Sequence, residues 1–199
     1  MNPILQFKSR ALSWSSLSSF EYDKIKWAKK YIDDEEEPPT KEMLFGNVVG
    51  GRISSDPLFL PEVPRYEIFE KKLIGKIGDI KLIGFLDSFQ KDPMALLEYK
   101  TSSSDKRWNQ DSAEEWRQIL FYLGLLWLNY GVQPELVKCD LVYIPVEEKG
   151  DFSMGLAKKS VQIFNIKHTT MEVLNFLNYV KKVHAEMIKY AEEYVKLQN

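Results

Sequence analysis

Ile83-Gly84-Phe85-Leu86-Asp87 and Leu96-Leu97-Glu98-Tyr99-Lys100-Thr101 are two apolar runs that each end in charge, with Asp87 and Glu98 eleven residues apart. Read as strands, both place their charged groups at one end. Side chains two apart on a strand point to the same face, so Glu98 and Lys100 project side by side. A turn near Lys91-Asp92-Pro93 folds the first run back on the second and brings Asp87 beside Glu98. Two carboxylates and an ammonium at one sheet edge can hold a divalent metal. The lysine can then orient a water or stabilise a phosphate. The competing reading is an exposed Glu-x-Lys ion pair, worth about 0–1 kcal/mol.

Around this centre the chain alternates helical and strand patterns. Leu17, Phe20, Trp27, Ala28 and Tyr31 recur at helical spacing and predict one helix over about 15–32. Asp33 to Pro39, five acids and two prolines, reads as a solvated linker. A second helix is expected from Thr40 to about Ser54, and a proline-rich loop over 56–64. Strands are expected at about 65–74, 79–89 and 94–101. A helix follows over 111–130, with Trp116, Ile119, Leu120, Leu123, Trp127 and Tyr130 on one face and Gly131 to stop it. Leu136–Pro145 and Ser160–Ile166 read as two more strands, with a turn at Asp151–Gly155. Thr169-x-x-Glu172 is a capping-box pattern that opens a long last helix, about 170–197. There Val173, Leu177, Val180, His184, Met187, Ala191 and Tyr194 form a heptad seam, which either packs on this chain's own core or serves a homo-oligomer. The expectation is a single α/β domain over 1–199: a central mixed sheet flanked by helices, with a long C-terminal helix.

Composition narrows the classes. The 199 residues are 44% hydrophobic and 28% charged, with net charge −2. This is ordinary globular composition. It lacks the overall basicity of a chain coated for nucleic acid, although a basic footprint can be local. No run of about 18 apolar residues suits a membrane span. Met1 to Arg10 lacks the apolar core of a signal peptide, so a cytoplasmic location is the default. One cysteine, Cys139, excludes an internal disulfide and a multi-cysteine metal site. No Gly-x-x-x-x-Gly-Lys-Ser/Thr loop is present.

Gly84-x-x-Asp87 followed by Glu98-x-Lys100-Thr101 resembles the PD-(D/E)xK nuclease superfamily, and within it the RecB-type nuclease domains. Two further stretches in the same order carry the resemblance: Ser13-Trp14-Ser15-Ser16-Leu17-Ser18-Ser19-Phe20 near the start, and Gln118-Ile119-Leu120-Phe121-Tyr122 beyond the lysine. Together they span roughly the first two thirds of the chain. The resemblance implies a restriction-endonuclease-like core and a metal-dependent deoxyribonuclease. It suggests an exonuclease of recombination, repair or phage-type DNA processing. Asp87, Glu98 and the carbonyl of Tyr99 would hold Mg2+ or Mn2+, and Lys100 would serve the attacking water or the scissile phosphate. Gln118 and Tyr122, four apart on one helix face, would contact DNA, with Thr101 beside them. On spacing alone, Tyr122 is equally a core residue and Gln118 a surface one.

Thr101 to Ser104 is a hydroxyl-rich stretch that either contacts phosphate or turns the chain. Lys106, Arg107 and Trp108 offer charge and a stacking ring for single-stranded nucleic acid. Iron–sulfur relatives use four cysteines, so no such cluster is expected here. Any ATP-driven unwinding would come from a helicase or recombination partner. One departure from the pattern bears on the metal. RecB-type domains carry Gly-x-x-x-His on the second helix, with the histidine as ligand. Here Gly46 leads to Gly50. His168 and His184 read as structural, and Glu42 or Glu70 are the acids available to approach the metal instead. The alternative function is a nuclease-fold module that binds nucleic acid or a partner without turnover. A third reading is a dimerising scaffold built on the C-terminal heptads.

Overall fold

In the computed structural model, which describes residues 3–103, 108–151 and 153–198, the elements in chain order are α1 (Pro3–Ser9), β1 (Leu12–Ser13), α2 (Trp14–Tyr22), α3 (Lys24–Tyr31), α4 (Lys41–Ser55), β2 (Ile68–Ile77), β3 (Ile80–Gln90), β4 (Ala95–Ser102), α5 (Gln110–Glu114), α6 (Arg117–Tyr130), β5 (Lys138–Glu148), β6 (Met154–Leu156), β7 (Gln162–Ile166) and α7 (Thr170–Gln198). The strands form one mixed seven-stranded sheet in which β1, β3, β4, β5 and β6 follow one another. β2 lies antiparallel along β3, and β7 lies antiparallel on β5. β3 meets β4 antiparallel only at one end, from Ser88↔Leu97 to Gln90↔Ala95. β4 and β5 run parallel over eight rungs. Helices cover both faces.

Burial on both faces is why β4 and β5 are nearly continuous apolar runs. Leu96, Leu141 and Tyr143 join the larger core with α2, α6 and α7. Leu97, Val142 and Ile144 join a smaller core with Val49 and Ile53 of α4. Each such side chain fully withdrawn from water contributes about 1.5–3 kcal/mol. α6 comes close to the β2–β3 hairpin because Gly84 has no side chain. A Cβ there would stand 2.7 Å from Leu125 and 3.0 Å from the Tyr122 ring. On the other side, Arg65 donates to the carbonyls of Ile53, Phe59, Leu60 and Val63, tying the end of α4 to the chain entering β2.

Several boundaries differ from the sequence expectation for identifiable reasons. The helix expected over 15–32 is two helices. Asp23 leaves the helical conformation, and its side chain accepts from the amides of Ile25 and Lys26, starting α3 afresh. The helix expected over 111–130 is likewise divided. α5 opens on an Asn109–Ser112 capping box, and Trp116 then has extended backbone before α6 begins. The first long strand lies three residues later than expected. The turn placed at Asp151–Gly155 gives way at Met154 to a short strand paired with β5. A helix over Pro3–Ser9 was not foreseen.

The last helix follows its sequence signals closely. Glu172 accepts from the Thr169 amide and hydroxyl, and Thr169 caps the Glu172 amide in return. Val173, Leu177, Val180, Met187 and Ala191 of the seam are buried in the chain's own core. Among the described residues, no helix is long and apolar enough to cross a membrane.

Candidate active site

The antiparallel register of β3 and β4 sets Asp87 opposite Glu98, one rung beyond the last paired residues Ser88 and Leu97. Both line an open cavity of about 660 Å³. The α4 residues Glu42, Gly46, Asn47 and Gly50 form one wall. Glu70 of β2 and Lys100, Thr101 and Gln118 complete it. The Tyr99 amide donates to Asp87 Oδ2 at 2.7 Å, fixing that carboxylate against β4. The Tyr99 hydroxyl donates to the Pro64 carbonyl at 2.8 Å, and burial pushes its acidity out to about 12.

Lys100 is held from three sides. Its Nζ lies 2.5 Å from Glu98 Oε1 and 3.0 Å from Gln118 Oε1, and it stands 5.3 Å from the centre of the Trp116 ring. Gln118 uses both ends of its amide within the protein. Oε1 accepts from Lys100 and from the Trp116 indole at 3.1 Å, and Nε2 donates to the Tyr122 hydroxyl at 2.6 Å. A lysine only donates, so this network aims the amide oxygen at Lys100. Tyr122 is buried, and burial raises its hydroxyl pKa.

The electrostatics are those of two acids crowded in a poorly hydrated place. Burial is the main reason the Asp87 pKa is pushed up to about 8; the charge of Glu98 adds to it, and Lys100 and the Tyr99 amide oppose it. Glu98 is 1% exposed and is also raised, again chiefly by burial, with Lys100 working against the shift. Such a pair retains a proton near neutrality. One atom is left over: Glu98 Oε2 is buried and has no hydrogen-bond partner. An unpartnered carboxylate oxygen within an all-oxygen donor set suits a hard divalent cation. Asp87 and Glu98 are the residues that would hold it, with Tyr99 beside them. Among the described residues, no three His, Cys, Asp or Glu side chains already stand in mutual ligand reach.

Asp87, Glu98, Tyr99, Lys100, Thr101 and Gln118 thus line one cavity, with Tyr122 bonded behind Gln118. Glu42 and Glu70 line it too. A Cβ on Gly50 would meet nothing within 4 Å, whereas one on Gly46 would stand 3.0 Å from Thr101 Oγ1. Gly46 is therefore where α4 closes on the end of β4.

Trp108 corrects the sequence reading. Rather than offering a stacking surface, it is buried and packs edge-on against Trp116, ring centres 5.3 Å apart. Its expected partners Lys106 and Arg107, with Ser104, lie outside the described residues. Thr101 and Ser102 continue β4 rather than forming a turn. His168 is buried and His184 half-buried, both outside the cavity lining. Sequence reasoning missed Trp116 as a lysine partner, since its helical spacing marked it as core.

No family model and no curated protein matches the chain. Solved structures do. A candidate exonuclease from Eubacterium rectale superposes with a TM-score of 0.57 at 11% identity, over 96% of this chain and 84% of that one. A phage-related exonuclease from Haemophilus somnus 129PT gives 0.54 at 11% identity, over 100% of this chain and 95% of that one. At these identities the likeness is one of fold: this chain is built on the same α/β framework as those two proteins.

Proposed function

We propose that this chain is a Mg2+- or Mn2+-dependent nuclease of the RecB-type PD-(D/E)xK group, hydrolysing DNA phosphodiester bonds as an exonuclease. The observation that carries the reading is one constellation. Asp87 and Glu98 face each other at the end of a strand pair, Lys100 is pinned beside them in the lining of one cavity, and Glu98 Oε2 has no hydrogen-bond partner. A bound divalent ion would supply hydroxide by lowering the pKa of its water and would polarise the phosphoryl oxygen. Asp87 and Glu98 bind and orient. Lys100, held by Glu98, Gln118 and Trp116, presents a fixed cation to the scissile phosphate. Gln118 sets the position of that ammonium, and Thr101 offers a hydroxyl at the rim.

The open face of the hairpin beyond Glu70 supports a nucleic-acid substrate. Exposed Lys72 pairs across the ladder from an exposed Phe85 there, and exposed Lys81 lies further along β3, a combination of cations and a ring that suits single strands. DNA processing of this kind draws on a helicase or recombination partner, and a homo-oligomer through the C-terminal helix would have to use that helix's exposed face, because the heptad seam is buried in this chain's own core. A second reading, a nucleic-acid-binding or interaction module without turnover, is favoured by Gly50, which offers no side chain where the resemblance expects a histidine ligand.

Incubation with end-labelled single-stranded, duplex and circular DNA, with and without Mn2+, separates the two. Mn2+-dependent release of short products from linear but not circular DNA supports the exonuclease. Retention of every substrate intact, with binding preserved, supports the module.

A further inference from the structure

One rung of the β2–β3 ladder is missing. Phe69 pairs with Ser88 and Lys71 with Leu86, but Glu70 and Asp87 between them do not pair. Glu70 has φ of 49°, a left-handed conformation that glycine adopts freely and a glutamate adopts at a cost. Side-chain alternation slips at the same place. Phe69 packs in the smaller core under α4, whereas Leu73 and Leu86 belong to the larger core under α6. An unbroken strand would put Phe69 and Leu73 on one face. The bend at Glu70 puts them on opposite faces, and Asp87 stands at the same rung. Irregular rungs of this kind re-aim side chains next to functional sites.

The residue chosen for the bend is informative. Glycine would serve the backbone better, and what glutamate adds is a carboxylate. That side chain is exposed, lines the cavity with Asp87 and Glu98, and has no hydrogen-bond or ion-pair partner among the described residues. Glu98, of the same lining, has a buried Oε2 that is also without a hydrogen-bond partner. Glu42, Glu70, Asp87 and Glu98 line the cavity against the single ammonium of Lys100, an excess of acid that a divalent ion offsets.

We propose that Glu70 is a ligand, directly or through a bound water, of the cation held by Asp87 and Glu98, and that its strained backbone exists to present it. The proposal rests on the reading of this cavity as a divalent-cation site. It assigns the third acidic donor to the strand side rather than to α4. All three donors are hard oxygens, so Mg2+ and Mn2+ are the ions that fit.

Calorimetric titration with MnCl2, and melting in EDTA, of the natural protein, Glu70→Gln and Glu70→Gly provide the test. Glu70→Gln should bind Mn2+ about tenfold or more weakly while melting in EDTA no lower than the natural protein. Glu70→Gly should bind as weakly as Glu70→Gln, yet melt higher in EDTA by about 2–4 °C, because the backbone strain is gone. A ligand role predicts this opposition of affinity and stability; a purely structural glutamate does not. Unchanged Mn2+ affinity in Glu70→Gln overturns the inference and leaves the cation site standing. Absence of Mn2+ binding by the natural protein overturns both.

Discussion

Gln118 Oε1 accepts from Lys100 Nζ at 3.0 Å, so a helix residue fixes the position of a strand-end lysine eighteen positions earlier in the chain. The other end of the same amide is occupied by Tyr122. Gln118 is therefore a positioning residue in this account. Gln118→Ala should lower the cleavage rate about 10–100-fold, the usual cost of losing an orienting partner, while Mn2+ affinity stays near that of the natural protein. Single-turnover rates and calorimetry on the same preparation check this. A variant that loses metal and rate together would place Gln118 in the metal site itself.

The acid pair gives a pH dependence of definite sign. The ordinary pKa of Asp87 is 3.8, and the folded protein raises it to about 8. Folding thus favours the protonated form. This contribution is complete below about pH 4 and is lost as pH rises through about 8. Metal-free protein should accordingly melt lower at pH 9 than at pH 6, and Asp87→Asn should flatten that slope. Mn2+ binding at pH 7 should release a proton, read as a binding enthalpy that changes with the ionisation enthalpy of the buffer. A buffer-independent enthalpy would contradict the shared proton.

The close approach of α6 to the hairpin makes Gly84 sensitive. Gly84→Ala drives a methyl against Leu125 and Tyr122. Overpacking of this kind costs about 1–3 kcal/mol, a drop readable in urea unfolding. The displaced Tyr122 should also disturb Gln118, so activity should fall more than the loss of folded protein explains.

Much of this site was legible in the sequence, because the signals are local. Strand alternation put Glu98 and Lys100 on one face, the turn at Lys91–Pro93 brought Asp87 opposite Glu98, and the four-residue spacing joined Gln118 to Tyr122. Trp108 was misread because its neighbours Lys106 and Arg107 suggested a surface, whereas its ring fills the core against Trp116. The breaks at Asp23 and Trp116 were hidden by apolar spacing that runs across them in phase. The bend at Glu70 had no local signature at all. Glutamate is not a residue of left-handed backbone, and the irregular rung becomes visible only once β2 is registered against β3.

Gly50 allows a constructive test of the helix wall. A side chain there enters open space, so Gly50→His should fold and should tighten Mn2+ binding, measured by calorimetry. It should also bring Zn2+ binding, because imidazole suits zinc better than a carboxylate does. Unaltered affinity for both ions would show that position 50 does not look into the cation site.

The Asp87–Glu98–Lys100 cavity is proposed to hydrolyse phosphodiester bonds with a divalent metal. The most direct measurement is the rate of nucleotide release from end-labelled linear DNA in Mn2+ and in EDTA, for the natural protein and for Lys100→Ala, with melting followed alongside. Glu98 loses its buried partner in the variant, so the folded fraction of each protein is measured before the rates are compared. Mn2+-dependent release by the natural protein, none in EDTA, and a loss of about a hundredfold or more in folded Lys100→Ala are expected, the scale of a group acting on the reacting atoms. Equal release by both proteins, or release unaffected by EDTA, would contradict the proposal.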